Sequence, residues 1–207
     1  MANRGRGIEG VRQYLHPKLE ELRFRKRAGE IFTGQLAEEV LGWIGLNTAT
    51  KRREIGEIEV NPVVGVRFQE VERIVAQLLG ETFHGYVPPT ISSPLGYIMP
   101  AGMYRAWVFG PGRANEAVAE EMACAVRDHA LPFMISGTRL EELCRRLDAG
   151  LGLEHQVMYR RPVAWLLAGD VGKSKTILNR YLEELGDRKD AAAGQFRRFA
   201  TSFQNRW

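Results

Sequence analysis

Between residues 57 and 80 the hydrophobic pattern changes period without a break. Ile58, Val60, Pro62, Val64 and Val66 alternate with Glu57, Glu59, Asn61, Val63 and Gly65, the two-residue period of a strand with one buried face. From Phe68 onward Val71, Ile74, Val75 and Leu78 fall three and four apart, the period of a helix, and Gly80 closes it as a left-handed terminal residue. A chain carrying both periods so close together must bury a helix face beside a sheet face. Pro62 withholds a backbone donor, so the strand is expected at a sheet edge or bulged there.

The rest of the chain extends this pattern. Ile8, Val11, Leu15, Leu19 and Leu22 make one apolar helical stripe, with Pro17 as a local conflict. Residues 31–36 and 40–46 are apolar but interrupted by Gly34, Gly42 and Gly45, which favours strands over helix. Residues 90–99 and 103–109 read as strands joined by a turn at Pro100-Ala101-Gly102. Asn115 is a fair N-cap for a helix stopped by Pro132, and Thr138 to Glu141 has the pattern of a capping box. Behind it Leu140, Leu143, Cys144, Leu147 and Leu151 form a buried stripe, with Glu141–Arg145 and Glu142–Arg146 as pairs on the wet face. After Gly152 the chain reads as a helical hairpin, with Pro162 in a first turn, Ser174 capping its second helix and a last helix over 190–207. The expected class is α+β: an antiparallel sheet with helices packed on one face, followed by a C-terminal helical hairpin and terminal helix. The expected division is a core domain over 1–150 and a helical extension over 151–207.

Composition narrows the chemistry. With 44% hydrophobic and 26% charged residues the 207-residue chain has the make-up of a globular protein. Residues 1–12 carry basic charge with no apolar run behind it, so no secretory signal is expected. No stretch approaches the roughly 18 consecutive apolar residues of a membrane span. The two cysteines, Cys124 and Cys144, suit a reducing compartment, and a cytoplasmic protein without membrane contact is expected. His16, His84, His129 and His155 are scattered, so no metal and no cofactor is expected.

Motifs for catalysis are weak. Gly169-Asp170-Val171-Gly172-Lys173-Ser174 has part of a phosphate-binding loop, but its first glycine position holds Leu167, and an interhelical turn is the better reading. Glu57 and Glu59 share a strand face, where two carboxylates hold a metal or share a proton in some sites and are solvated in most. No G-x-S-x-G or G-x-G-x-x-G stands in a suitable context, so no catalytic residue is assigned.

Two features suggest binding instead. Arg23, Arg25, Lys26 and Arg27 form a basic cluster around Phe24, and Lys51-Arg52-Arg53 forms another. Such runs neutralise phosphates or guard strand edges. Phe196, Phe199, Phe203 and Trp207 make an aromatic stripe with Arg197 and Arg198 beside it. It is either docked on the chain's own helices, the commoner fate, or an anchor for a protein partner.

The run Leu22 to Phe32, Trp43, and Leu131-Pro132-Phe133 with Leu140 and Leu143 resemble an uncharacterised bacterial family of unknown function over roughly residues 10–150. That resemblance implies a small cytoplasmic α+β protein, with relatives near toxin or defence loci, and supplies no site residues. The expected function is a non-enzymatic interaction protein with an unidentified protein partner, such as an immunity or defence-associated factor. One alternative is an enzyme acting on a phosphate-bearing substrate, which needs Glu57, Glu59, His84 and Arg67 in one cleft. The other is weak nucleic-acid binding through the N-terminal arginines.

Overall fold

The structure, a computed structural model, describes residues 8–50 and 54–207. The chain opens with helix α1, whose first part, Val11–Leu15, is a π-helical turn and whose second, His16–Glu21, is α-helical. Then come strands β1 (Arg25–Lys26), β2 (Ile31–Ala37), β3 (Val40–Ala49) and β4 (Ile58–Phe68). Helix α2 (Gln69–Leu79) leads through a loop to β5 (Ile91–Pro94), a short helix α3 (Leu95–Ile98) and β6 (Trp107–Phe109). Helix α4 (Asn115–Ala125) runs through a second π-helical turn, Val126–Ala130, into α5 (Leu131–Ser136). Four more helices follow: α6 (Leu140–Asp148), α7 (Glu154–Leu167), α8 (Val171–Leu185) and α9 (Ala191–Gln204).

The fold is α+β, with an antiparallel sheet and C-terminal helices. The strands lie in the order β1-β2-β3-β4-β5, and β6 also pairs with β4. The β2–β3 hairpin turns through Glu38 and Glu39, with Ala37 opposite Val40 and a register shift between Gln35 and Ala37. Gly45 is required by its neighbour: a Cβ there would lie 2.3 Å from the Trp43 ring, which folds over it.

Several expectations are corrected by packing. Strand β4 is interior to the sheet order rather than an edge. Its proline is tolerated because the ladder to β6 ends at Val60, just before Pro62. Residues 90–99 do not form one strand: a Cβ at Gly96 would lie 2.3 Å from the Met103 carbonyl, and this close approach turns the chain into α3 and shortens the next strand to β6. Neither Pro17 nor Pro132 breaks its helix. Each follows a π-helical turn by two residues, and the wider turn absorbs the missing donor. Asn115 does not cap α4; its side-chain amide bonds the main chain of Gly110 in both directions, at 2.9 and 3.2 Å. No side-chain cap forms at α6, which starts after Arg139, and Glu141 meets that arginine at 3.7 Å. Pro162 lies inside α7, and Asp170, not Ser174, caps α8 by accepting from the Lys173 amide at 2.8 Å.

The chain divides into two compact units, at places other than residue 150. The first comprises 1–66 and 92–136, the second 67–91 and 137–207. The reason is that α2, from the middle of the sequence, packs on α7 and α9. In the first unit Leu15, Leu19, Phe24, Phe32, Ile44 and Phe109 are buried. In the second Val71, Leu143, Val163, Leu178 and the phenylalanines of α9 are.

Candidate functional site

Phe24 organises the basic cluster. Helix α1 ends where the Arg23 amide donates to the Glu20 carbonyl at 2.8 Å and the Phe24 amide to the Leu19 carbonyl at 3.0 Å. Arg23 itself holds a left-handed conformation at φ 65°, a place usually left to glycine. Phe24 is buried at 1% exposure, so its neighbours Arg23 and Arg25 are held outward. Strand β1 then pairs with β2, Arg25 opposite Thr33 and Lys26 opposite Phe32. Arg27 donates from Nε to Thr33 Oγ1 at 2.8 Å.

These residues line one open groove of about 910 Å³. Arg23, Arg25, Lys26 and Arg27 contribute four positive charges; Glu20 is the acidic residue among the lining side chains. Phe24, Gly34 and Leu41 supply its apolar part. Gly34 packs tightly, since a Cβ there would approach the Arg23 carbonyl to 3.0 Å. Arg23 and Arg25 have no ion pair among the described residues, and Lys26 reaches Glu30 only at 3.9 Å. The second basic run, Lys51-Arg52-Arg53, lies outside the described residues.

The aromatic stripe is docked on the chain's own helices. Phe196, Phe199 and Phe203 are fully buried within the second unit. Tyr159 packs against Phe196 and Phe199 with ring centroids 5.5 and 5.0 Å apart, and half-buried Trp207 lies tilted against Phe203 at 5.1 Å. Arg197 is structural too, donating to the carbonyls of Arg188 and Gly186 at 2.6 Å each and so tying α8 to α9. Of the six residues, Arg198 alone is exposed. Three phenylalanines on a short amphipathic helix bury far more apolar surface by docking than they would leave exposed, and this decides the outcome.

The other candidates resolve into structural roles. Glu57 is buried and accepts from Arg113 Nε at 2.6 Å; Glu59 accepts from the Tyr104 hydroxyl. Ser174 is buried, and Lys173 bonds Asp148 at 3.0 Å while lying 3.3 Å above the Trp165 ring. The Cys144 thiol is buried and pushed up to about 11 by desolvation, which keeps it a poor nucleophile. Among the described residues no group of three His, Cys, Asp or Glu is placed to hold a metal, and no helix is long and apolar enough to cross a membrane.

A second concavity lies in the second unit and brings together two of the four residues that the enzyme alternative needs in one cleft, Arg67 and His84. It has a volume of about 360 Å³ and lies among α2, α7 and the loop over 81–90. Arg67, Glu72 and Arg160 line it and are almost wholly buried. Arg160 bonds Glu72 through Nη2 at 3.0 Å, with Nε 2.8 Å from the other carboxylate oxygen. Arg67 donates to Gln69 Oε1 at 2.9 Å and to the carbonyls of His84 and Pro88, clamping the loop. Desolvation lowers the Arg67 guanidinium to about 10, against the opposing pull of Glu72. Arg67 and His84 therefore share a cavity, but Glu57 and Glu59 do not line it.

No family model matches the chain, and neither does any curated protein or solved structure. The site rests on its own residues.

Proposed function

We propose that this is a non-enzymatic binding protein that takes a nucleic-acid backbone in the groove along β1 and β2. The observation that carries the reading is the convergence of Arg23, Arg25, Lys26 and Arg27 on one concave surface, two of them without an ion pair among the described residues. The left-handed Arg23 adds weight. A non-glycine residue there costs about 1 kcal/mol, and such outliers concentrate where a side chain has a task. Edge protection alone asks for a charge on β1, not for an arginine at a strained position before it. Phosphate contacts of this kind give affinity with little sequence preference.

Fluorescence anisotropy with a labelled single strand and a labelled duplex tests this. Three or so phosphate contacts give a slope of about −3 in log affinity against log salt on a duplex, and a shallower one on a single strand. Reversing Arg23 and Arg25 to Glu abolishes binding on this reading. A salt-independent response, or a reversal variant that binds as well as the parent, overturns it.

A protein partner keeps support from a different surface. Tyr97, Met103 and Tyr104 are 54%, 61% and 57% exposed; Met103 and Tyr104 line a concavity with Gly96, the chain neighbour of Tyr97. Aromatic and methionine side chains are enriched in interfaces. A Met103→Glu, Tyr97→Ser variant that loses a co-purifying protein but keeps its DNA affinity supports this second reading; unchanged co-purification removes it.

A further inference from the structure

We propose that the cavity floored by Arg67, Glu72 and Arg160 binds a small monocarboxylate with an apolar body. The floor is electrostatically incomplete. Two guanidinium groups at 1% and 3% exposure share one carboxylate. Glu72 is engaged chiefly by Arg160, at 2.8 and 3.0 Å, and stands 3.7 Å from Arg67 Nη1. Arg67 otherwise donates to neutral acceptors, the Gln69 side chain and two main-chain carbonyls. Its charge is solvated by dipoles but not cancelled, so one net positive charge remains buried. An uncompensated charge in such a place is costly, and an anion is what relieves it.

Spare donors remain on both guanidinium groups. Each terminal guanidinium nitrogen carries two N–H groups. Arg67 Nη2 uses one on His84, and Arg160 Nη2 uses one on Glu72, leaving a further N–H on each. The other carboxylate at the cavity, Glu81, is exposed and accepts from Gln195 at 3.1 Å. Above the floor the walls are apolar: Val75, Leu79, Phe83 and Tyr159 are each half-buried. The 360 Å³ volume falls at the lower end of the range for small-molecule sites. A single negative charge matches the single surplus positive one, which selects a carboxylate over a doubly charged phosphate.

Isothermal titration calorimetry on the full chain tests the site with 3-phenylpropanoate, its amide and 3-phenylpropylamine. The acid is expected to bind saturably, the amide roughly tenfold more weakly for want of the charge-assisted hydrogen bonds, and the amine not at all. Ala76→Trp, on the α2 wall, fills the cavity without touching the ionic floor and abolishes binding. Should that variant fail to fold, Phe83→Ala decides instead, with weaker binding expected from the lost wall. No saturation by the acid at millimolar concentration overturns the proposal. So does an amide or amine that binds as tightly, or binding that survives both substitutions undiminished.

Discussion

Ser174 Oγ donates a 2.6 Å hydrogen bond to the main-chain carbonyl of Pro162. The serine that ends a Gly-Lys-Ser run is therefore turned inward, at 0% exposure, and fastens α8 to α7. Its lysine is held by Asp148 and Trp165, so the run is a helix start rather than a phosphate cradle. Ser174→Ala is expected to cost about 1 kcal/mol, the worth of one buried hydrogen bond, read as a lower urea midpoint. Adding ATP should leave the melting temperature where it is; a rise would restore the phosphate-loop reading.

Arg23→Gly separates strain from binding. Glycine takes the left-handed conformation freely, so the variant should be more stable by up to about 1 kcal/mol. It should also bind DNA more weakly, with a shallower salt slope, because one phosphate contact is gone. A variant that is stabilised and binds unchanged would reduce Arg23 to a helix terminator.

Glu72→Gln removes the one carboxylate between two buried guanidinium groups. The expected loss is about 3 kcal/mol, since breaking a buried ion pair leaves a bare charge behind. Equilibrium denaturation measures it. A loss no larger than that of an exposed ion pair would mean that water reaches the cluster.

Glu142 gives a pH signature. Hydrogen bonds from Arg145 and Arg146 hold its carboxyl at about 2, against 4.5 for a free glutamate. The folded state thus keeps Glu142 ionised after the unfolded state has taken up a proton. Its contribution is complete above pH 4.5 and is lost as pH falls towards 2. The pair with Arg145 is solvent-screened, so the contribution stays below about 1 kcal/mol. In Glu142→Gln the fall in stability over that window should be shallower than in the parent.

Phe199→Ala tests the docked helix. A buried phenylalanine at 0% exposure is worth about 3 kcal/mol or more on truncation to alanine. Arg198→Ala, on the exposed side of the same helix, should change stability by no more than about 0.5 kcal/mol. Equal effects would mean that α9 is not packed as described.

The elements most legible in the sequence are those with an uninterrupted period. Strands β2, β3 and β4 and helix α2, with its terminal Gly80 at φ 69°, follow directly from apolar spacing. The basic cluster was equally plain, because its residues are contiguous. Prolines misled: Pro17 reads as a local conflict, Pro132 as a stop and Pro162 as part of a first turn, and each lies within a continuous helical run. That accommodation depends on turns of the backbone which residue types do not signal. Of the cavity of the second unit, only the pairing of Arg67 with His84 was anticipated. Glu72 and Arg160 are 88 positions apart, and each looks like an ordinary charge on an amphipathic helix.

What the sequence determined by itself was the class of fold and where cationic and aromatic side chains accumulate, because periodicity and contiguity are local properties. Only the tertiary structure decided which of those side chains remain available. The stripe of Phe196, Phe199 and Phe203 vanished into the core because burial rewards apolar area wherever a partner surface lies within the same chain. Arg23 and Arg25 stayed outside because Phe24 between them was taken in. Arg67 and Arg160, unremarkable as letters, became a buried charge imbalance because folding placed both against a single glutamate.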